Sequence, residues 1–320
     1  MPVRAFIFPG QGSQAVGMGR DLAEAFPVAR EVFQEIDDTL HQRLSRLMFE
    51  GPLAELTLTE NAQPALMAVS LAVVRVMETE GGFRLREKAV VVAGHSLGEY
   101  SALAAADSLP VGDTARLLKL RGQAMQKAVP PGDGAMAALL GADMDEVKAI
   151  CAAAAPVPET EDKEVVEPAN DNGGGQIVVS GHRGAVERAV EIAKSKGIRR
   201  AMLLPVSAPF HSSLMAPAAD AMAEALQSVT FAPPVPPVIA NVSAAKATES
   251  QELADLLVRQ VTAVVRWRES VQAMTALGVD TFVEVGAGKV LTGLVRRIVP
   301  DATAVSAGSP AEIEAVLKTF

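Results

Sequence analysis

The residues with the clearest chemical potential lie in the sequence Gly94-His95-Ser96-Leu97-Gly98. A short valine-rich run precedes it, and a helix-forming run begins directly afterwards at Tyr100. Gly-x-Ser-x-Gly between a strand and a helix predicts a nucleophile elbow, a sharp turn that exposes the serine hydroxyl. We expect Ser96 to be a nucleophile at a helix N-terminus, where free N–H groups favour developing negative charge. The alternative is a serine that only caps an ordinary helix.

A serine hydroxyl is a weak nucleophile without a base, and histidine fills that role most often. The chain has four histidines: His41, His95, His182 and His211. His95 is adjacent to Ser96, and because consecutive side chains diverge in such a turn, we expect His95 to pack rather than react. His211 follows a predicted strand, where α/β proteins place reactive groups. We therefore expect His211 to be the general base; a buried or helix-capping structural histidine is the alternative.

A glycine-containing turn, Phe8-Pro9-Gly10-Gln11-Gly12-Ser13-Gln14, follows the first predicted strand. Glycines allow the backbone of such a turn to approach a ligand closely. One interpretation is a phosphate-binding loop, although the lysine of a P-loop and the full Gly-x-Gly-x-x-Gly spacing are missing. The other is that the turn supplies one backbone N–H to an oxyanion hole, with Leu97 supplying the second.

The composition argues against several other classes of site. The net charge of −9 and the pI of about 5.1 argue against nucleic acid as a partner. None of the histidines is spaced as a metal ligand with another histidine or a cysteine, so we expect no metal. The single cysteine, Cys151, excludes an intrachain disulfide and suits a reducing cytoplasm. No apolar run reaches the roughly 18 residues that span a bilayer, and we expect a cytoplasmic protein that does not enter a membrane.

Predicted strands and helices alternate along most of the chain, which is typical of a parallel sheet covered by helices. The main part has predicted strands at 4–8, 88–93, 238–240 and 281–285 and helices at 21–33, 62–80, 114–129, 213–227, 251–261 and 270–277. Between these, strands at 134–140, 176–180 and 199–204 alternate with helices at 143–155 and 183–196, and 156–167 is a polar connection. We expect an α/β core formed by residues 1–130 and 205–320 and a small ferredoxin-like α+β subdomain at 131–204.

Five motifs occur in an order that makes a family resemblance specific. They are Phe8-Pro9-Gly10-Gln11-Gly12-Ser13-Gln14, Gly94-His95-Ser96-Leu97-Gly98-Glu99-Tyr100, Leu120-Arg121-Gly122-Gln123-Ala124-Met125-Gln126, Pro209-Phe210-His211-Ser212 and Glu284-Val285-Gly286-Ala287-Gly288-Lys289-Val290-Leu291. Together they resemble the malonyl-CoA:acyl carrier protein transacylases of bacterial type II fatty acid synthesis. The resemblance implies an α/β-hydrolase-like core with a parallel sheet and a ferredoxin-like subdomain.

The same resemblance implies an activity and partners. The expected reaction is a ping-pong transfer of a malonyl group from malonyl-CoA to the phosphopantetheine thiol of acyl carrier protein, without a cofactor. We expect the enzyme to be a monomer whose partners are acyl carrier protein and malonyl-CoA.

Roles for individual residues follow from the resemblance. Ser96 is implied to carry the malonyl ester, and His211 to act first as base and then as acid. The backbone N–H groups of Gln11 and Leu97 are implied to form the oxyanion hole. Arg121 is implied to bind the malonyl carboxylate, which suits a planar guanidinium that donates two parallel charge-assisted hydrogen bonds. Without the resemblance, a surface ion pair on a helix is the simpler interpretation of Arg121.

Further positions complete the implied site. In the family a main-chain carbonyl, not an aspartate, orients the histidine, and we assign that carbonyl to Arg266. Asn172, with Asn170 beside it, resembles an asparagine loop that faces the active site. Phe210, directly before the histidine, accompanies malonyl selection because its ring crowds an α-methyl branch. The candidate docking residues for an acidic carrier protein are basic: Arg199, Arg200 and Lys289.

Two alternatives stay open at this stage. A carboxylesterase or thioesterase shares Gly-x-Ser-x-Gly and the order of serine before histidine. It would need an acidic residue between Ser96 and His211 and a His-Gly-Gly loop, and no His-Gly-Gly occurs here. The other alternative is a non-catalytic module that binds acyl carrier protein, against which the presence of Ser96, His211 and Arg121 argues. We expect that no Asp or Glu between Ser96 and His211 is essential when it is replaced by Asn or Gln.

Overall fold

Strands and helices alternate through residues 2–206 and 208–320, the part of the chain that the computed structural model describes. The strands are β1 (Arg4–Phe8), β2 (Val91–Gly94), β3 (Gly134–Leu140), β4 (Val166–Asp171), β5 (Gln176–His182), β6 (Arg200–Leu203), β7 (Val238–Ala240), β8 (Ala245–Ala247), β9 (Thr281–Val285) and β10 (Thr303–Ala307). The helices are α1 (Arg20–Ala25), α2 (Pro27–Leu40), α3 (Leu44–Glu50), α4 (Leu53–Thr57), α5 (Thr59–Gly81), α6 (Leu85–Lys88), α7 (Leu97–Ala105), α8 (Val111–Ala128), α9 (Met144–Ala154), α10 (Arg183–Ser195), α11 (Ala216–Leu226), α12 (Ser250–Thr262), α13 (Trp267–Ala276), α14 (Val290–Ile298) and α15 (Pro310–Leu317). A 3₁₀ turn at Ser213–Met215 leads into α11.

Six strands form the larger sheet, in the order β10-β9-β1-β2-β7-β8. All neighbours pair in parallel except the edge strand β8, which is antiparallel to β7. Every residue of β1 and β2 is buried, as expected for parallel strands that helices cover on both faces. Because β1 and β2 are parallel, the turn after each strand lies at the same edge of the sheet. The glycine-containing turn after β1 and the Ser96 turn after β2 are thereby brought together.

A second, antiparallel sheet has the strand order β4-β5-β3-β6. The apolar residues on one face of this sheet form a separate buried cluster with α9 and α10, which includes Leu139, Ile150, Val179 and Val186, whereas Met136 and Val178 belong to the main core. The chain order β-α-β-β-α-β is that of a ferredoxin-like unit. These elements lie within the expected range 131–204, and the limits of the two units stay a prediction.

The predicted mixed α/β class is confirmed, since one sheet is mainly parallel and the other is antiparallel. Among the described residues, no helix combines the length and the apolar character needed to cross a membrane.

The prediction of one helix over residues 21–33 is wrong, because α1 ends at Ala25 and α2 begins at Pro27. Proline suits the first position of a helix, and it disfavours helical backbone in the residue before it. Phe26 is accordingly extended, with φ −127° and ψ 119°.

Two strand predictions also need correction. The strand expected from Lys88 begins only at Val91, because residues Leu85–Lys88 close a helical turn. The strand β4 lies partly in the expected polar connection and was missed because Pro168 and neighbouring polar residues interrupt any apolar alternation. It is an edge strand whose register shifts between Pro168 and Asn170, and sheet edges are where proline is tolerated.

Candidate active site

Ser96 lies in the turn that joins β2 to α7. Its φ of 53° and ψ of −111° are uncommon for a residue with a side chain and indicate local backbone strain. Both glycines of the motif are sterically required. A Cβ on Gly94 would lie 1.9 Å from the backbone of Gly98, and a Cβ on Gly98 would lie 2.3 Å from the carbonyl oxygen of Phe8. The turn therefore has the sharp geometry of a nucleophile elbow.

His211 lies beside Ser96, with 2.7 Å between Nε2 and the serine Oγ. Its other ring nitrogen, Nδ1, is 2.9 Å from the main-chain carbonyl oxygen of Gln260. A carbonyl oxygen can only accept, so Nδ1 carries the proton and Nε2 is left to accept from the Ser96 hydroxyl. Burial is the main reason that the pKa of His211 falls from 6.5 to about 3, and the positive charge of Arg121 lowers it further. His211 is thus a neutral imidazole at ordinary pH, as a general base requires.

The assignment of the orienting carbonyl to Arg266 is wrong. The Arg266 carbonyl accepts hydrogen bonds from the amide and the hydroxyl of Ser270, each at 2.9 Å. The carbonyl that meets His211 belongs to Gln260, in the last turn of α12. The last four carbonyls of a helix have no intrahelical donor, so the end of α12 has a free acceptor for the imidazole.

Arg121 is buried on α8, next to the serine. Its Nη1 donates to Gln63 Oε1 at 2.8 Å, and its Nη2 donates to Gln260 Oε1 at 2.8 Å and to Ser96 Oγ at 3.1 Å. Within the described part of the chain, Arg121 forms no ion pair with a carboxylate. A buried cation held by neutral amides is strongly suited to an incoming anion, because the desolvated charge lacks a counter-charge in contact.

Gln11 and Leu97 line the same cavity as Ser96. Leu97 is the first residue of α7, and the first N–H groups of a helix have no intrahelical acceptor. The Gln11 side chain is fixed by a hydrogen bond that its Oε1 accepts from Thr59 Oγ1 at 2.8 Å. Their positions suit the expected oxyanion hole, which stays a prediction.

The cavity has a volume of about 540 Å³, and its wall combines the turns that follow β1 and β2 with strand residues of the second sheet. Phe210 contributes to an apolar part of the wall with Met125, Met136 and Val178. Asn172 also lines the cavity, and its Oδ1 accepts a hydrogen bond from His95 Nε2 at 2.8 Å. His95 therefore packs against the second sheet's unit rather than approaching the Ser96 hydroxyl, in agreement with its expected structural role.

Four polar residues around the site escaped the sequence interpretation: Gln63, Glu99, Asn241 and Gln260. The Glu99 carboxylate accepts hydrogen bonds from Gln260 and from the Asn241 amide, and burial raises the pKa of Glu99 to about 7. One signal was available for Gln260, which shares the buried face of α12 with Leu253, Leu257 and Val261. A glutamine on an apolar face must have polar partners in the fold.

The candidate docking residues lie outside this cavity. Arg199 and Arg200 are exposed at the start of β6, and neither forms an ion pair with a described residue. Lys289 is exposed too, but its Nζ lies 2.6 Å from Glu312 Oε1. Arg266, which pairs with Glu269, is also absent from the cavity wall.

Known proteins resemble this chain along nearly its whole length. A family model described as an acyl transferase domain matches residues 5–315. The malonyl CoA-acyl carrier protein transacylase of Escherichia coli K12 is 45% identical over 314 residues, which cover 98% of each chain. The crystal structure of acyl-carrier-protein S-malonyltransferase from Bartonella henselae matches with a TM-score of 0.94 at 55% identity, covering 99% of each chain.

A further solved structure is a complex of a type II PKS acyl carrier protein with its malonyl-transacylase. It matches with a TM-score of 0.94 at 41% identity and covers 99% of this chain and 100% of that one. All the residues that line the cavity fall within the range that the family model matches.

Proposed function

The chain belongs to the acyl transferase family, and from this premise we propose that it transfers malonyl from malonyl-CoA to the phosphopantetheine thiol of acyl carrier protein. The product would be malonyl carrier protein for fatty acid synthesis. The observation that carries the choice of acyl group is the Arg121 guanidinium. Its Nη2 lies 3.1 Å from Ser96 Oγ, and its hydrogen bonds to described residues go only to neutral oxygens. An acyl group on Ser96 that ends in a carboxylate would place its charge within reach of this cation.

In the first half-reaction, the Ser96 hydroxyl gives its proton to His211 Nε2 while Oγ attacks the thioester carbonyl. The N–H groups of Gln11 and Leu97 stabilise the oxyanion of the tetrahedral intermediate. The intermediate then collapses, the C–S bond breaks, and His211 returns the proton to the CoA thiolate that leaves.

In the second half-reaction, the carrier protein's thiol gives its proton to His211, and the sulfur attacks the malonyl ester. The C–O bond to Ser96 breaks, and the serine oxygen regains the proton. The low pKa of His211, about 3, makes it a weak base. Such a base removes a proton far more readily from a thiol, with an ordinary pKa of about 8.5, than from water. We therefore propose that transfer to a thiol is favoured over hydrolysis.

Phe210 and Asn172 complete the proposed substrate pocket. The Phe210 ring supports selection of malonyl over an α-methyl-branched acyl group, because it lies in the cavity wall and takes up space there. Asn172, held by His95, supports a role in shaping the wall that the second sheet's unit contributes.

The proposal also covers the partners, the cofactor requirement, the oligomeric state and the compartment of the enzyme. We propose that malonyl-CoA and the carrier protein are the only partners that turnover needs, that no cofactor takes part, and that the enzyme works as a monomer. The buried free thiol of Cys151 supports a reducing compartment such as the cytoplasm.

Intact-mass analysis after brief exposure to malonyl-CoA tests the proposal. We expect a malonyl adduct on Ser96 that moves to added phosphopantetheinylated carrier protein. Ser96→Ala is expected to lose the adduct and about 10⁶-fold in turnover. The exposed Ser195 offers a matched control, since Ser195→Ala should load like the parent protein.

Two other results would contradict the proposal. Release of free malonate at the same rate with and without carrier protein would identify a hydrolase. Failure of any acyl-CoA to label Ser96 would favour a carrier-binding module without catalysis.

A further inference from the structure

Glu99 is a buried acidic residue whose role is not explained by its own helix. It is the third residue of α7, and its exposed fraction is 2%. A glutamate at this position often accepts a hydrogen bond from the N-cap amide of the same helix. Here the N-cap is Ser96, and its N–H donates to Asn241 Oδ1 at 2.8 Å instead. Because a buried carboxyl group needs polar partners, those that Glu99 does have indicate what it does.

One oxygen of Glu99 accepts both of its hydrogen bonds. Oε2 lies 2.7 Å from Gln260 Nε2 and 3.0 Å from the Asn241 amide nitrogen. Glu99 does not line the cavity, and neither do Gln260 or Asn241. The hydrogen bonds of the Glu99 carboxylate therefore reach the site through these two neighbours.

Gln260 connects Glu99 with the two groups that act on the acyl chain. Its Nε2 donates to Glu99 Oε2 and also to the Ser96 carbonyl at 3.0 Å. Both acceptors require the NH₂ side of the amide, so Oε1 is left to face Arg121 Nη2 at 2.8 Å. The main-chain carbonyl of the same residue accepts from His211 Nδ1.

Asn241 connects Glu99 with the nucleophile turn. Its amide is held by Glu99, its Oδ1 accepts from the Ser96 N–H, and its Nδ2 donates to the Gly94 carbonyl at 2.7 Å. The asparagine thus binds the backbone on both sides of His95. It holds a turn whose positive φ at Ser96 is otherwise unfavourable.

We propose that Glu99 is a positioning residue for malonyl transfer, whose Oε2 fixes Gln260 and Asn241 and, through them, the directions of Arg121 and of the Ser96 turn. The inference rests on the proposed function, because Arg121 matters only for an acyl group that carries a carboxylate. Glu99 acts here as a hydrogen-bond acceptor and touches neither substrate nor reacting atoms.

Three substitutions separate hydrogen bonding from charge and from volume. Glu99→Gln keeps an oxygen that can occupy the place of Oε2 and accept both hydrogen bonds, but it removes the charge. Glu99→Leu keeps most of the volume and removes the acceptor. Glu99→Ala removes both, and circular dichroism with thermal unfolding determines which variants are folded.

The readout is the rate of Ser96 loading from malonyl-CoA and from acetyl-CoA, each followed by intact mass. Glu99→Gln should stay within about threefold of the parent protein with both substrates. Glu99→Leu should lose about 10- to 100-fold with malonyl-CoA, the size of effect that misplacement of a reacting group produces. It should lose less with acetyl-CoA, because the acetyl group has no carboxylate that Arg121 could bind. Glu99→Ala should show the same decrease in the ratio of malonyl loading to acetyl loading. If Glu99→Ala does not fold, the test rests on Glu99→Leu.

Three results would overturn the inference. The acceptor role fails if folded Glu99→Leu loads malonyl at the parent rate. It also fails if Glu99→Gln loses as much as Glu99→Leu, since charge would then be the requirement. Equal losses with malonyl and acetyl would reveal a merely structural residue. The parent protein's own loading with malonyl-CoA tests the proposed function separately, because that result does not depend on any Glu99 variant.

Discussion

Arg121 brings a positive charge into a buried site in which its hydrogen-bond partners are neutral. These partners are Gln63, Gln260 and Ser96 Oγ. Burial lowers the pKa of Arg121, and the neighbouring Tyr100 and Glu99 oppose that change. Among the described residues no carboxylate contacts the guanidinium, whose direction is fixed by its neutral partners. Recognition of a carboxylate on the acyl group requires such an oriented, uncompensated cation.

Replacement of this cation should therefore change substrate preference. Arg121→Ala is expected to weaken malonyl transfer by roughly 1.5–3 kcal/mol, the usual range for hydrogen bonds to charged groups. Acetyl transfer should suffer less, because acetyl has no carboxylate. The measurement is kcat/KM for malonyl-CoA and acetyl-CoA. Arg116→Ala is a matched control on the same helix, since Arg116 is exposed and pairs with Asp113 at 2.6 Å. Equal losses with both substrates would make Arg121 a structural residue.

At the same scale, no acidic side chain among the described residues hydrogen-bonds to the His211 imidazole. Its Nδ1 is held by the neutral carbonyl of Gln260, whereas a conventional triad uses an aspartate whose replacement costs about 10⁴-fold. We expect each Asp between Ser96 and His211 to tolerate replacement by Asn, and each Glu replacement by Gln, within about tenfold in turnover. Steady-state kinetics of folded variants provide the measurement. A loss near 10⁴-fold in any of them would restore the hydrolase interpretation.

Among the elements, the junction of β2 and α7 has no room for a side chain at either glycine of the Gly-x-Ser-x-Gly motif. Gly98→Ala would place its Cβ 2.3 Å from the Phe8 carbonyl oxygen, so β1 and α7 would have to separate. We expect a loss of folded protein or of at least about 3 kcal/mol in the free energy of unfolding, as for severe overpacking. Urea denaturation measures it.

Gly293→Ala is the matched control for this prediction. Gly293 lies inside α14, and a Cβ there meets nothing within 4 Å. Alanine is favoured over glycine in a helix interior, so this variant should gain about 0.5–1 kcal/mol. Equal tolerance of both substitutions would show that close packing at the elbow is not required.

For the stability of the whole molecule, the pKa values of His211 and Glu99, both buried, are shifted in opposite directions. The pKa of His211 falls to about 3 in the folded protein, so between the ordinary value of 6.5 and 3 the unfolded chain binds a proton that the folded protein does not. This contribution destabilises the fold as pH falls through that window. The pKa of Glu99 rises from 4.5 to about 7, so Glu99 destabilises the fold as pH rises through its own window.

His211→Gln isolates the first contribution. We expect the stability of the parent protein relative to this variant to fall as pH decreases from about 7.5 to 5, with a limiting slope of about 1.4 kcal/mol per pH unit. Urea denaturation at several pH values gives the difference, and effects common to both proteins, including that of Glu99, cancel. A difference that does not change with pH would mean that His211 titrates normally in the fold.

The overall charge of −9 also bears on recognition of the carrier protein. An acidic partner must dock on a local basic surface against the mean field, and Arg199 and Arg200 are exposed and unpaired among the described residues. Reversal of both to Glu should raise KM for the carrier protein and weaken its salt dependence, while loading from malonyl-CoA stays nearly constant.

A double reversal at Arg84, the N-cap of α6, and Arg86, inside α6, controls for the change in net charge, because both are exposed and lie outside the second sheet's unit. If carrier kinetics respond equally to both pairs, docking does not depend on the Arg199 and Arg200 surface. Lys289 is the third candidate, and its ion pair with Glu312 leaves it less available than the two arginines.

Local sequence alone predicted the features whose physics is local. Gly-x-Ser-x-Gly predicts the sharp turn because only glycine allows the backbone contacts on either side of Ser96. The segment Arg4–Phe8, which is apolar after Arg4 and ends before Pro9, predicted a strand with both limits correct. Near-continuous apolar runs are typical of parallel strands that are buried on both faces. The choice of Ser96 and His211 as neighbours also followed from chemistry, because a serine needs a base and few histidines were available.

Only the tertiary structure decided which groups surround that pair. Gln260 is 49 residues from His211 and 139 from Arg121, so no local pattern links them. The Gln260 carbonyl has no intrahelical donor because α12 ends two residues later, at Thr262. It contacts His211 only because the packed fold brings the end of α12 to the histidine. The local sequence around Arg121 favoured an exposed ion pair on a helix. Only the packed structure shows Arg121 buried among amides, with no carboxylate of the described residues in contact. Contacts of this kind depend on how distant elements pack, whereas turns and strands depend on the sterics and polarity of neighbouring residues.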